Sequence, residues 1–207
     1  FNGTYRVAAN YRNQWPDIDR AYITNTASVD FKILSKKLDY TDSWGVGVMG
    51  FSDKSANGAV NFNYASISTA FHKGLDEDGY SQIGVGFQCT YSNMLINTTV
   101  LKFEDQLTTS GFTGITSEIF NNPASLKSNY VDVNAGVLYS GSSNDRNNYY
   151  LGASVYHITR PKQTFTGANY LLNTRTTIHS GGYFAVGRTS TLHLSGLYSM
   201  QGGASEA

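Results

Sequence analysis

From Tyr5 to Gln14 the residues sort by parity into two chemically opposite sets. Tyr5, Val7, Ala9 and Tyr11 fall on one side; Arg6, Ala8, Asn10, Arg12 and Gln14 fall on the other. A period of two belongs to an extended strand with one apolar and one polar face. The pattern returns from Ser81 to Tyr91, where Ile83, Val85, Phe87, Cys89 and Tyr91 alternate with Gln82, Gly84, Gly86, Gln88 and Thr90. It returns again over Tyr130 to Tyr139 and over Tyr149 to Tyr156. Weaker versions run through Ala21 to Leu34, Trp44 to Gly50, Val60 to Phe71, Thr98 to Leu107, Thr176 to Val186 and Thr191 to Met200. These spans predict about ten strands of about ten residues each, the length that crosses a bilayer at a tilt.

Connections are expected to be short at Ser52 to Gly58 and Ser142 to Asn147, and long at Thr108 to Ser128 and Arg160 to Thr174. Short turns on one side and long loops on the other suit an antiparallel barrel. A soluble sandwich also alternates, so the make-up of the two faces has to separate them. Here the apolar face is Val, Ala and Tyr, with Tyr or Trp near the strand ends, as in a lipid-facing band bounded by aromatic girdles. The other face carries Gly, Asn, Gln, Ser and a few charges, as a lumen would. The expected fold is all-β, an antiparallel transmembrane β-barrel of the bacterial outer-membrane type.

Composition sharpens this picture. Fifteen Tyr and 21 Gly with only 3 Pro suit many strands joined by tight turns. Fifteen basic and 15 acidic residues leave no net field to recruit nucleic acid, so no nucleic-acid partner is expected. No run of about 18 apolar residues offers a transmembrane helix, so entry into a membrane would be by strands. No linker divides the chain, which reads as one domain over residues 1–207. There is no secretory leader before Phe1, and the end, Gln201-Gly202-Gly203-Ala204-Ser205-Glu206-Ala207, lacks an aromatic-ended final strand. Truncation at both ends is therefore expected.

Candidate chemistry is sparse. His72, His157, His179 and His193 are too scattered for a metal motif and read as hydrogen-bonded lumen or girdle residues. Asp76-Glu77-Asp78-Gly79 lacks the later glutamate of a calcium loop and reads as a polar hairpin turn. Cys89, the single cysteine, excludes an internal disulfide and falls on an apolar face, where it acts as a small hydrophobe. A hydrolase would need a nucleophile placed by a histidine, and His179-Ser180 and His193 supply only the residue types. No cofactor, metal or catalytic residue is assigned. Arg6, Arg12, Asp30 and Lys32 either line an aqueous pore or pair across a plugged lumen. Gly84, Gly86, Gly136 and Gly152 mark either close approach by a plug or partner segment or room for neighbouring side chains.

The run Arg6-Val7-Ala8-Ala9-Asn10-Tyr11-Arg12-Asn13-Gln14-Trp15-Pro16 resembles the opening strand of the PorP/SprF family, outer-membrane barrels of the type IX secretion system in Bacteroidetes. The resemblance continues in order through Gly45-Val46-Gly47-Val48, Phe103-Glu104-Asp105-Gln106, Asp132 with Ala135-Gly136, Leu151 to His157 with Pro161, and His179-Ser180-Gly181-Gly182-Tyr183. Members are normally longer at both ends. What the resemblance implies is a non-enzymatic role in protein export at the outer membrane and, in gliding species, in placing adhesins on the cell surface. The partners it implies are outer-membrane lipid, secreted cargo with a C-terminal sorting domain such as an adhesin, and the ring lipoprotein with its periplasmic partner. Arg6, Arg12, Gln14 and Trp15 are the expected structural or cargo-contacting cluster near one rim. The alternative is a porin-like passive channel, followed by an outer-membrane hydrolase and a soluble sugar-binding β-protein.

Overall fold

The computed structural model describes residues 4–17, 22–55, 58–114, 116–118, 126–144, 146–164 and 170–207. The strands are β1 (Tyr5–Gln14), β2 (Tyr22–Ile33), β3 (Ser43–Ser55), β4 (Val60–Gly74) and β5 (Ser81–Ile96). They are followed by β6 (Leu107–Thr108), β7 (Gly111–Phe112), β8 (Leu126–Asn144), β9 (Asn147–Tyr156), β10 (Arg175–Val186), β11 (Ser190–Gln201) and β12 (Ala204–Glu206). β6 and β7 form a small hairpin of their own, and the other ten make one antiparallel sheet in which each strand lies beside the next. Among the described residues β1 and β12 are the sheet's two edges, and the sheet is not closed on itself. Among the described residues no helix is long and apolar enough to cross a membrane.

Nine of the expected spans are strands, and several run on further. β8 in particular extends well past Tyr130 to Tyr139 at both ends. The exception is Thr98 to Leu107, which is two short 3-10 turns, Thr98–Val100 and Glu104–Gln106, before the β6–β7 hairpin. The Gln106 side chain accepts from the Phe103 amide at 2.8 Å, a local bond that competes with strand pairing. The tenth strand is instead the three-residue β12. Ala21, Ala56, Asn57 and Asp145, which belong to expected strand or turn segments, lie outside the described residues, as do parts of both long connections.

The strand ends Ile33 and Ser43, Gly74 and Ser81, Asn144 and Asn147, and Val186 and Ser190 lie at one end of the sheet. Gln14 and Tyr22, Ser55 and Val60, Ile96 and Leu126, Tyr156 and Arg175, and Gln201 and Ala204 lie at the other. Both long loops thus share an end, but so does the short connection after β3, so the split by length is incomplete.

Register turns the strand pattern into faces. Val7, Val29, Val48, Ile67, Cys89 and Val133 form one cross-strand row on the apolar face. One step along, Arg6, Asp30, Gly47, Ser68, Gln88 and Asn134 form a row on the polar face. Burial is inverted relative to a water-soluble protein. Ile67 is 67% exposed and Val48 53%, while Ser66 is 3% exposed and Asp132 4%; among the described residues the buried apolar side chains are Ala59 and Pro161. A single cavity of about 600 Å³ touches Arg6 on β1 and His179 on β10, so the sheet curls with its polar face inward. A polar interior inside an apolar exterior is the arrangement of a membrane barrel.

Candidate functional site: the polar wall and its rim

The inner wall is built largely from residues without bulk. Several of its glycines are sockets for side chains of the adjacent strand. A Cβ on Gly47 would lie 2.7 Å from Asp30 Oδ1, one on Gly84 2.6 Å from His72 Nδ1, and one on Gly152 would fall on the His179 ring. Gly136 is tight against Ala153 and Ser154, whereas Gly86 makes only ordinary contact. Of the two readings of these glycines, room for neighbouring lumen side chains is the one the geometry supplies.

Charges on this wall are paired. Arg6 Nη2 and Nε both lie 2.7 Å from Asp30 Oδ2, directly across the β1–β2 register. Further round, Asn134 donates to Gln88 Oε1 at 3.3 Å and accepts from the His157 amide at 3.0 Å. Asp132, two residues before Asn134 and on the same face, holds His157 Nδ1 at 2.9 Å. Its other oxygen, Oδ1, is buried without a hydrogen-bond partner. The Arg175 guanidinium lies 4.3 Å above the Tyr156 ring.

The four expected rim residues divide. Arg12 donates to Gln14 Oε1 at 2.8 Å, and the Trp15 ring meets Tyr22 edge-on at 5.8 Å, so three of them share the long-loop end of β1. Trp15 ends the strand in the left-handed region, φ 58°, which is uncommon for a bulky residue. Arg6 is six positions back along the strand, about 20 Å at the usual rise, and belongs to the Asp30 pair instead.

Two of the other histidines find partners in aromatic neighbours. His179 lies 5.9 Å from the Tyr150 ring, and His193 stacks on Tyr183 at 4.3 Å. Among the described residues no three of His, Cys, Asp and Glu gather as a metal site. Asp76 to Gly79 is a turn with Gly79 at φ 73°, and the Tyr40 hydroxyl donates to the Glu77 carbonyl.

Two ordered loop anchors were invisible to strand-pattern reasoning. Asp105 accepts from the Ser117 amide at 2.6 Å, from Thr116 Oγ1 at 2.8 Å and from Ser117 Oγ at 3.0 Å, tying the long loop after β5 to itself. These donors, the Ser117 amide foremost, hold its carboxyl below the usual range. At the opposite end Asp42 accepts from Lys73 Nζ at 2.9 Å and the Gly74 amide at 3.0 Å, and the Lys73 bond, then the amide, lowers its carboxyl likewise. The sequence signal is an Asp in a Ser/Thr-rich loop, which is too common to single out.

The strand-built polar wall, lipid-compatible exterior and loop-bearing rim form a frame that can hold a polar or extended segment. No curated protein matches the chain. The profile of the family described as type IX secretion system membrane protein PorP/SprF matches residues 1–207, the whole of it. The chain is therefore a member of the PorP/SprF family of type IX secretion system membrane proteins.

Proposed function

We propose that this chain is a non-catalytic outer-membrane component of the type IX system whose barrel holds a protein segment during export. The observation that carries the reading is the inverted burial, apolar outside and polar within, in a family of secretion membrane proteins. Both long loops stand at one end of the wall, and loops of that kind face the cell exterior in outer-membrane barrels. The segment held would come from a secreted adhesin bearing the C-terminal sorting domain, or from the ring lipoprotein and its periplasmic partner. Arg12, Gln14 and Trp15 at the rim, with Arg6 deeper on the same strand, offer a guanidinium, an amide and an aromatic face to such a segment.

Purification from gently extracted native membranes through a tag on this chain, followed by mass spectrometry, tests the reading. A stoichiometric adhesin or ring lipoprotein is the expected result. A barrel that leaves the membrane alone and conducts ions in planar bilayers would replace it with the passive channel, which the cavity of about 600 Å³ also accommodates.

A further inference from the structure

The outer face does not stay apolar to the ends of the strands. Toward the long-loop end it changes within one register step. The row Ala27, Gly50, Ala65, Tyr91 and Val131 is followed by the row Asn25, Ser52, Asn63, Asn93 and Asn129. Asn93 Nδ2 donates to Asn129 Oδ1 at 2.5 Å, an amide pair on the outside of the wall. Beyond that row come Lys54, Asn61 and Lys127; the apolar residues among them, Ile23 and Leu95, stand directly opposite Lys54 and Lys127.

On β3 and β4 the inner face changes at the same level in the opposite sense, while β2 keeps Thr26 and Thr24 and β5 keeps Ser92. On β4 the inward residues His72, Ala70, Ser68 and Ser66 give way to Tyr64 and Phe62, and on β3 Gly45 and Gly47 give way to Phe51. Phe51 and Tyr64 stack at 4.5 Å with their planes 12° apart, and Phe62 joins them at 5.8 Å from Tyr64. Polar outside and aromatic inside is how a wall is built when water, not lipid, is outside it.

We infer that the bilayer's hydrocarbon ends at the asparagine row, and that the ends of β3, β4, β5 and β8 beyond it stand in water as an extramembrane collar around the half-buried Phe51, Phe62 and Tyr64. The surface between that row and the opposite girdle of Trp44, Phe71 and Tyr139 is the face that lipid acyl chains cover. Its height fits. Ile83 to Tyr91 spans about 26 Å along β5, or about 20 Å along the membrane normal at a tilt of about 40°, near the height of an outer-membrane apolar band. Apart from the Asn93–Asn129 bond, a lipid-facing amide row would leave its donors and acceptors to hydrocarbon, a cost that water removes. The inference needs only that the chain sits in a bilayer, and it holds whether or not a cargo is bound.

Spin labels test it in phosphatidylcholine–phosphatidylglycerol vesicles. In a Cys89→Ser background, labels are placed at Ile67→Cys and Val133→Cys and, separately, at Asn63→Cys, Asn93→Cys and Asn129→Cys. The first two are expected to collide preferentially with oxygen, and the asparagine positions preferentially with an aqueous nickel chelate. Oxygen preference at the asparagine positions would bury the collar in lipid and overturn the inference. Should the labelled variants fail to insert, Trp44→Phe leaves Trp15 as the sole tryptophan. Quenching of Trp15 by iodide is then expected, and quenching by brominated acyl chains instead would overturn the inference equally.

Discussion

Asp132 and His157 are joined at 2.9 Å across the gap between β8 and the loop that follows β9. The pair fastens the start of that loop to the barrel wall, because the His157 amide is also held by Asn134 and the Ile158 amide by the Val133 carbonyl. Asp132 is 4% exposed and one of its oxygens already lacks a partner. Removing His157 leaves the carboxylate more exposed to the penalty of burial without compensation. His157→Ala is expected to cost about 2 kcal/mol, the range for a hydrogen bond to a charged group. The check is the urea midpoint in detergent, together with faster proteolysis within 157–174.

Glycine substitution should rank by socket. Gly152→Ala drives a methyl into the space of the His179 ring, whereas Gly86→Ala meets Ala70 at an ordinary 3.7 Å. The first is expected to lower stability by about 1 to 2 kcal/mol, as overpacking does, and the second to be near neutral. Thermal unfolding followed by loss of heat-modifiable migration separates them, and equal losses would contradict the socket reading.

Acid should release the loop between β2 and β3. Asp42 is held below its ordinary value of 3.8, so its bonds to Lys73 and Gly74 stabilise fully above that value and are lost as pH falls through the lowered one. Hydrogen exchange at the Gly74 amide, corrected for intrinsic rates, is expected to rise as pH is taken from 6 to below 3.8. In Asp42→Asn the exchange should already be raised at pH 6 and change little on acidification.

Asp105 makes the same prediction for the long loop at the other end, with a different readout. Asp105→Asn is expected to open the 97–118 segment to protease at neutral pH while strand circular dichroism stays unchanged. Wild type should match it only in acid.

The rim and the wall should separate in partner capture. Arg12→Ala combined with Trp15→Ala is expected to reduce the bound partner in tagged purifications without shifting the unfolding midpoint. Arg6→Ala should cost at most about 1 kcal/mol, since its pair with Asp30 is half-exposed.

The sheet was legible because alternation is a local signal: a period of two in Tyr5 to Gln14 is enough to place every side chain of β1 on a face. The polar interior was legible for the same reason. Thr98 to Leu107 misled because a short alternating run looks the same whether its backbone pairs with a neighbour or bonds to itself through Gln106. The rim cluster was half legible. Arg12, Gln14 and Trp15 are neighbours in sequence, but the partner of Arg6 sits on another strand, and only register brings Asp30 to it. The Asp132–His157 pair spans 25 positions and carries no pattern at all.

The strand order has a bearing on how such a molecule comes to exist. With its apolar side chains outward, this chain has almost nothing to collapse around in water, so the usual driving force for folding acts only when lipid is at hand. What compensates is that each strand pairs with its neighbour in the chain, so hairpins can form one at a time with short loop closures. The widest closure joins β5 to β8 across 97–125, and that step divides assembly into an early five-stranded half and a later one.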